Sequence, residues 1–349
     1  MKKQKAKPFK KFKGRVTVAV VGAGAVGVEM IRILEQRKFP FSELRVLARS
    51  ARTIQVDGKS YQVRETTAEA FDGVQIALFA GTEGEKGAAV TFGPEAIRRG
   101  AVLIDNGSDF RMDPKVPLVI PEINGKDVEW HNGIIANPNC TTATMLMAVG
   151  PIHRKYGVKK IVVSSYQAVS GAGAKGVTGL KSQAEEYLRD GAVKDNGIFP
   201  APIAFNVLAN NWKIEQDGYS NEELKMIWET KKILGDPKIQ VVPTTVRVPV
   251  FNAHSESVYI ESGKKLPLSD IKKLLRKSPG VRVVDESTPF KGHDCPMPLT
   301  ASGEDDVLVG RIRRDLNNPK AIALWSVGDN LRKGAALNAV QIAECLIEK

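Results

Sequence analysis

The stretch VTVAVVGAGAVGVEMIRIL, residues 16–34, constrains this chain more than any other. Six apolar residues run into three glycines spaced G-x-G-x-x-G, and apolar residues at helical spacing follow. A buried strand therefore turns directly into a helix, the context this glycine pattern requires. Glycine permits the tight turn and lets the backbone approach a pyrophosphate, which the unpaired N–H groups of the helix N-terminus then hold. Gly22, Gly24, Ala25, Val26 and Gly27 are the candidate cofactor contacts. At the end of the next strand an NAD site places an acid on the ribose 2′-hydroxyl. Here the chain reads Leu47-Ala48-Arg49-Ser50-Ala51-Arg52, with two arginines and no acid. Guanidinium groups suit a 2′-phosphate, so the expected cofactor is NADP.

Strand-like and helix-like segments continue to alternate behind that turn. Leu44–Leu47, Val74–Phe79 and Ala101–Ile104 read as strands, and Pro94–Arg99 as a helix, the pattern of a parallel sheet covered on both faces. After residue 140 the pattern changes. A helix over Thr142–Tyr156, a strand over Lys160–Ser165 and a polar helix around Lys181–Arg189 precede VVPTTVRVPV, SESVYIE, VLVGRIRRD and AIALWSVGD, which alternate as extended strands. The expected fold class is α/β: a Rossmann-type domain over 15–138, completed by a C-terminal helix within 330–349, plus an α+β domain with a mixed sheet over 139–329. A length of 349 residues agrees with two domains.

Net charge is +12, but residues 1–15 carry eight Lys and Arg with no acid, which leaves +4 on the remaining 334. The excess belongs to a basic segment, residues 1–14, expected to be a disordered tail rather than a nucleic-acid-binding face. Three glycines and Glu29 interrupt the apolar run behind it, which argues against a signal peptide, and no stretch approaches the roughly 20 apolar residues of a membrane helix. Cys140, Cys295 and Cys345 are scattered without C-x-x-C or a histidine at ligand spacing. Neither a disulfide framework nor a metal site is expected, and a reducing cytoplasm is. Cys140 itself lies in ANPNCTTATMLMAV at the mouth of a helix. Such a position favours an anion and can make a thiolate nucleophile, although a small buried residue near a turn would look the same.

Ordered motifs resolve that ambiguity. GAGAVG, ARS, FRMDPKVPLVIPEIN, NPNCTT, SYQAVSGAGAKG, EELKMIWETKKIL, RVPVFNAHSESV and DNLRKGAALNAVQIAE occur in the order found in aspartate-β-semialdehyde dehydrogenases, which the chain resembles from about residue 15 to its end. The resemblance implies NADPH-dependent reduction of L-4-aspartyl phosphate to the semialdehyde and phosphate, on the route to lysine, threonine and methionine. It makes Cys140 the nucleophile that forms a thioester, His254 the acid/base group and Gln167 the residue that orients substrate beside the thiol. Arg247 matches the arginine for the α-carboxylate, Glu222 the acid for the ammonium, and Arg111 with Lys225 the phosphate pair. Arg49 and Ser50 match the 2′-phosphate loop, Ser170 and Gly171 a loop near the nicotinamide, and Asn330 a side chain at the start of the last helix. The family is at least dimeric, as a homodimer or a dimer of dimers, through its second domain.

The chain departs from the family pattern in three stretches. Its turn is one residue shorter than GATGAVG, Asp109 stands in DNGSDFRMD, and the loop after the third strand reads FAGTEGEKG. None removes a catalytic residue. Two other readings share much of this pattern: a reductase of N-acetyl-γ-glutamyl phosphate, and a catalytically silent nucleotide-binding relative. Glu222 argues against the first, because an acetylated nitrogen gives it no ammonium to pair with.

Overall fold

The computed structural model describes residues 9–81 and 87–348, which fall into two compact units, one of described residues up to 139 together with 335–348, the other of 140–334. In the first, strands β1 (Val16–Val21), β2 (Phe41–Ala48), β3 (Arg52–Val56), β4 (Lys59–Glu65), β5 (Ile76–Phe79), β6 (Val102–Asp105) and β7 (Ile134–Ala136) form one sheet in the order β3-β4-β2-β1-β5-β6-β7. All neighbours are parallel except the hairpin β3–β4. Helices α1 (Ala25–Gln36), α2 (Ala88–Arg98) and the short α3 (Pro121–Asn124) belong to this unit.

Period-two alternation along β1 explains why its apolar run is unbroken. Val18 and Val20 join a core with Met30, Ile31 and Leu34 of α1 and with Leu337 and Val340 near the C-terminus. Ala19 and Val21 point the other way, into a core with Ala89 and Ala96 of α2. Both faces of the strand are thus buried, at about 1.5–3 kcal/mol for each large side chain fully withdrawn from water.

In the second unit α4 (Cys140–Tyr156), β8 (Val158–Gln167), α5 (Ala174–Asp190), α6 (Asn221–Leu234), β9 (Gln240–Arg247), β10 (His254–Ser262), α7 (Leu268–Arg276), β11 (Val281–Val283), α8 (Pro298–Ala301), β12 (Val307–Arg314) and β13 (Ala321–Gly328) follow in turn. The six strands form a mixed sheet in the order β11-β12-β13-β10-β8-β9, parallel at β11–β12 and β8–β9 and antiparallel elsewhere. Residues 141–150 of α4 are buried on every side, and its polar last turn, with His153, Arg154 and Lys155, reaches the surface. The opposite face leaves Val162, Tyr166 and Val242 exposed.

Several expectations change. The helix expected from Pro94 begins at Ala88 and carries Pro94 in its interior, and the one expected at Lys181 begins at Ala174. Part of the basic segment expected to be disordered is packed. Phe12 N–H donates to Leu346 O at 2.8 Å, and the Phe9 ring lies 5.3 Å from Phe12 and 4.5 Å from His131. Two phenylalanines among the lysines supply the apolar area that charge counting overlooks. Residues 1–8 of that segment, and 82–86 of the FAGTEGEKG loop, lie outside the described residues. The last helix, α9, runs over Leu337–Cys345 after a π-helical stretch at Arg332–Ala336, so Asn330 precedes the helix it was expected to open.

Candidate active site

Cys140 is the first residue of α4, at the positive end of the helix dipole. The sulfur lies 3.3 Å from Nε2 of His254, the first residue of β10. On the other side of the ring, Ala168 N–H donates to His254 Nδ1 at 3.0 Å. Both ring nitrogens therefore have a partner, although the side chain is wholly buried. Burial, and then the Arg247 guanidinium, push this imidazole's pKa well below the usual histidine value.

The backbone holds His254 there under strain. Ala253, immediately before it, has φ of 70°, a left-handed conformation that costs a non-glycine residue about 1 kcal/mol or more. Asn330 Oδ1 accepts from Ala253 N–H at 3.0 Å, and Asn330 Nδ2 donates to Ser170 Oγ at 2.9 Å. The polar atoms of Asn330 are thus engaged by the loops on either side of His254. Gly171 matters for what it lacks. A Cβ there would stand 2.9 Å from Arg247 Nη1 and 3.3 Å from His254 Nε2, so the bare backbone lets the two side chains converge. Gly334 does the same for the thiol, since a Cβ on it would meet Cys140 Cβ at 2.8 Å.

Arg247, at the end of β9, is 3 % exposed, with Nη1 donating to Ala168 O at 2.7 Å and its guanidinium 4.9 Å from the Trp212 ring. Its buried Nε has no hydrogen-bond partner among the described residues. An orphaned cationic donor of this kind is costly unless a ligand anion completes it. Burial lowers the Arg247 pKa, opposed by Glu222 and Cys140. Glu222 lies in the first turn of α6, which Ser220 and Glu223 close with a capping box. Its carboxylate accepts from Gln167 Nε2 at 3.3 Å and pairs with Lys225 Nζ at 3.4 Å, one helical turn on.

Cys140, Gln167, Ser170, Gly171, Glu222, Lys225, Arg247, His254 and Asn330 all belong to the second unit. Arg111 belongs to the first, buried, with Nε donating to Asn137 O and Nη2 to Asn106 O, both at 2.9 Å. The glycine turn is there too. Gly22 has φ of 105°, and a Cβ on Gly27 would overlap Gly22 O at 1.7 Å, so the helix start packs directly on the strand end. A Cβ on Gly24 would meet no atom within 4 Å. That open backbone at a helix N-terminus fits a pyrophosphate. Arg49 and Ser50 lie beyond the end of β2, and Arg52 Nη2 reaches Ala23 O in the turn at 3.5 Å.

Ala253, Gly334 and Asn252 escaped the sequence reading, the last of them bonded to Ser170 and Asp329. A glycine inside the otherwise helical KGAALNAV was a usable signal for Gly334. No pattern marked a left-handed alanine.

The chain is similar to known proteins over nearly its whole length. Residues 17–131 match the semialdehyde dehydrogenase NAD binding domain, and 149–333 match the semialdehyde dehydrogenase dimerisation domain. An aspartate-semialdehyde dehydrogenase of Bacillus subtilis (strain 168) is 47% identical over 343 residues, 94% of this chain and 96% of the relative. One from Synechocystis sp. is 44% identical over 339 residues, 96% of this chain and 98% of the relative. The crystal structure of aspartate semialdehyde dehydrogenase II from Vibrio cholerae, complexed with ASA, superposes with a TM-score of 0.89 at 41% identity, covering 95% of this chain and 98% of that one.

Proposed function

The chain belongs to the aspartate-semialdehyde dehydrogenase family, and from that premise we propose that it reduces L-4-aspartyl phosphate with NADPH to L-aspartate 4-semialdehyde and phosphate, through a thioester on Cys140, in the biosynthesis of lysine, threonine and methionine. The observation that carries this reading is the sulfur of Cys140, at a helix N-terminus and 3.3 Å from a buried imidazole nitrogen. Thiolate is the nucleophile, and covalent catalysis divides a hard substitution into two easier ones. Sulfur attacks the acyl carbon, the bond to phosphate breaks, and the acyl group stays on Cys140. Arg247 receives the α-carboxylate on the Nε left without a partner, and Glu222 the ammonium, steadied by Gln167. Arg111 and Lys225 take the phosphate.

Gly22, Gly24, Ala25, Val26 and Gly27 hold the pyrophosphate, Arg49, Ser50 and Arg52 the 2′-phosphate, and Ser170 and Gly171 approach the nicotinamide. When bound, the reduced nicotinamide supplies the hydride. NADP is preferred to NAD because the end of β2 offers guanidinium groups and no carboxylate. The chain works as a homodimer, or a dimer of dimers, through the exposed sheet face that carries Val162, Tyr166 and Val242, with the Trp325 ring 5.4 Å from that of Tyr166 and tilted to it. Three free thiols suit a reducing cytoplasm.

The test is a phosphate-dependent NADP reduction assay with aspartate semialdehyde, run beside the N-acetylated glutamate analogue. Turnover of the first substrate alone is expected. Turnover of the acetylated one alone would end the reading, because Glu222 would have no ammonium to bind.

A further inference from the structure

We propose that Trp212 sets how tightly this site holds the α-carboxylate of its substrate, by covering the Arg247 guanidinium with an uncharged aromatic ring. It is a positioning residue that acts through Arg247, so the assignment deepens the function proposed above and rests on it. The guanidinium carbon lies over the Trp212 ring, 4.9 Å from its centroid. A buried cation needs stabilising, and the kind of neighbour decides whether it can still receive an anion. Arg247 is 3 % exposed, and burial lowers its pKa, the mark of a charge held out of water. A carboxylate in contact would offset that cost, but it would occupy the fork a ligand needs.

Among the described residues Arg247 forms no salt bridge. Glu222, which acts on it through space, accepts from Gln167 and pairs with Lys225. An aromatic ring attracts the cation through its quadrupole and leaves the charge unneutralised. Trp212 therefore stabilises the empty guanidinium without competing for the ligand. The remaining contacts leave one direction of approach. Nη1 donates to Ala168 O at 2.7 Å, and a Cβ on Gly171 would stand 2.9 Å from that nitrogen. Nε is buried and without a partner among the described residues, so the carboxylate meets the guanidinium there.

The loop that carries the ring is tied down on both sides. Leu208 exchanges both backbone hydrogen bonds with Arg247 itself, at 2.9 Å each, and its side chain packs with Val169, Leu180 and Phe199. Lys213, the residue after Trp212, accepts at its carbonyl from Asn221 N–H at 2.9 Å. Asn221 opens α6 immediately before Glu222. The indole is thus fixed between the strand end that bears the carboxylate-binding cation and the helix that bears the ammonium-binding acid. Trp212 is only half-buried, so trimming its ring alters the guanidinium's surroundings without opening a cavity in the core.

Two variants test this, Trp212→Leu, which removes the π face, and Trp212→Phe, which keeps one. Trp212→Leu is expected to raise the KM for aspartate semialdehyde about 5- to 30-fold with kcat within about twofold, and Trp212→Phe to stay within about threefold of the parent in both. An unchanged KM in Trp212→Leu, or equal losses in the two variants, would overturn the proposal. The analogue without the α-carboxylate, 3-aminopropanal, should lose nothing in kcat/KM on Trp212→Leu, and a loss as large as that for aspartate semialdehyde would overturn it too. Calorimetry with L-aspartate reads the same subsite without turnover, and its affinity should fall by the same factor in Trp212→Leu and be kept in Trp212→Phe. A parent protein that is inactive yet shows this difference would remove the proposed reaction and leave the inference standing. L-aspartate affinity that does not depend on the ring would overturn the inference and leave the reaction standing.

Discussion

Replacing Gly27 by alanine tests the glycine turn at atomic scale. The new Cβ would stand 1.7 Å from the carbonyl oxygen of Gly22 and 2.8 Å from its carbonyl carbon, both backbone atoms that no rotamer change can move. Helix α1 must therefore lift from the end of β1 by more than about 1 Å, carrying Met30, Ile31, Ile33 and Leu34 out of their packed positions. Overpacking of this kind costs about 1–3 kcal/mol, and a backbone obstacle puts it at the upper end. For a unit of this size, about 3 kcal/mol lowers Tm by roughly 6–12 °C. Gly24→Ala is the matched control. Its Cβ meets nothing within 4 Å, and its φ of −89° suits any residue. Stability should stay level or rise by up to about 1 kcal/mol. Cofactor binding should not, because a methyl group would occupy the space left for pyrophosphate. NADPH affinity is expected to fall at least tenfold, about 1.4 kcal/mol. Calorimetry and NADPH fluorescence titration on both variants decide the matter. If Gly27→Ala melts with the parent, the close approach is wrong. If Gly24→Ala binds NADPH unchanged, the turn is not the seat of the pyrophosphate.

Arg247→Lys should raise the KM for aspartate semialdehyde by tenfold or more with a smaller change in kcat, since a point charge cannot reproduce the guanidinium fork; an unchanged KM refutes the carboxylate role. Glu222→Gln keeps the shape and the bond to Gln167 but loses the charge, so KM should rise for the free amine, and steady-state kinetics that stay unaltered contradict the ammonium assignment. Acid should destabilise the protein through His131, whose pKa burial pushes down to about 4 beside Phe9. Because the unfolded chain binds that proton near the usual 6.5 and the folded one does not, stability falls as pH drops from about 6.5 towards 4. Urea unfolding of His131→Phe should show a slope in that window smaller by up to about one proton, and an identical slope would contradict it.

What the sequence made legible follows from physics that acts locally. Strand β1 and helix α1 were readable because burial on both faces leaves an unbroken apolar run, and the glycines mark the turn between them. The hairpin β3–β4 was missed because its strands are mostly exposed and their apolar alternation is only two residues long in each, Ile54 with Val56 and Tyr61 with Val63. Its turn nonetheless gave a signal, since Asp57 and Gly58, at φ of 49° and 80°, are the Asp-Gly pair that a two-residue hairpin requires. Pro94 was read as a helix start, and tertiary packing of Ala89 and Ala96 instead carried α2 across it. At the site, Cys140 was ambiguous in its own loop and gained meaning from motifs far along the chain. Ala253, held left-handed by an asparagine 77 residues away, could not be read at all, because neither residue type signals the other.

Trapping the acyl group on Cys140 tests the account most directly. With aspartyl phosphate and no nicotinamide present, intact-protein and peptide mass spectrometry should find one aspartyl group per chain on the Cys140 peptide. It should disappear on adding NADPH and never form in Cys140→Ser. Turnover by a protein that carries no such adduct, or carries it on another residue, would contradict the thioester and with it the role given to every side chain around the sulfur.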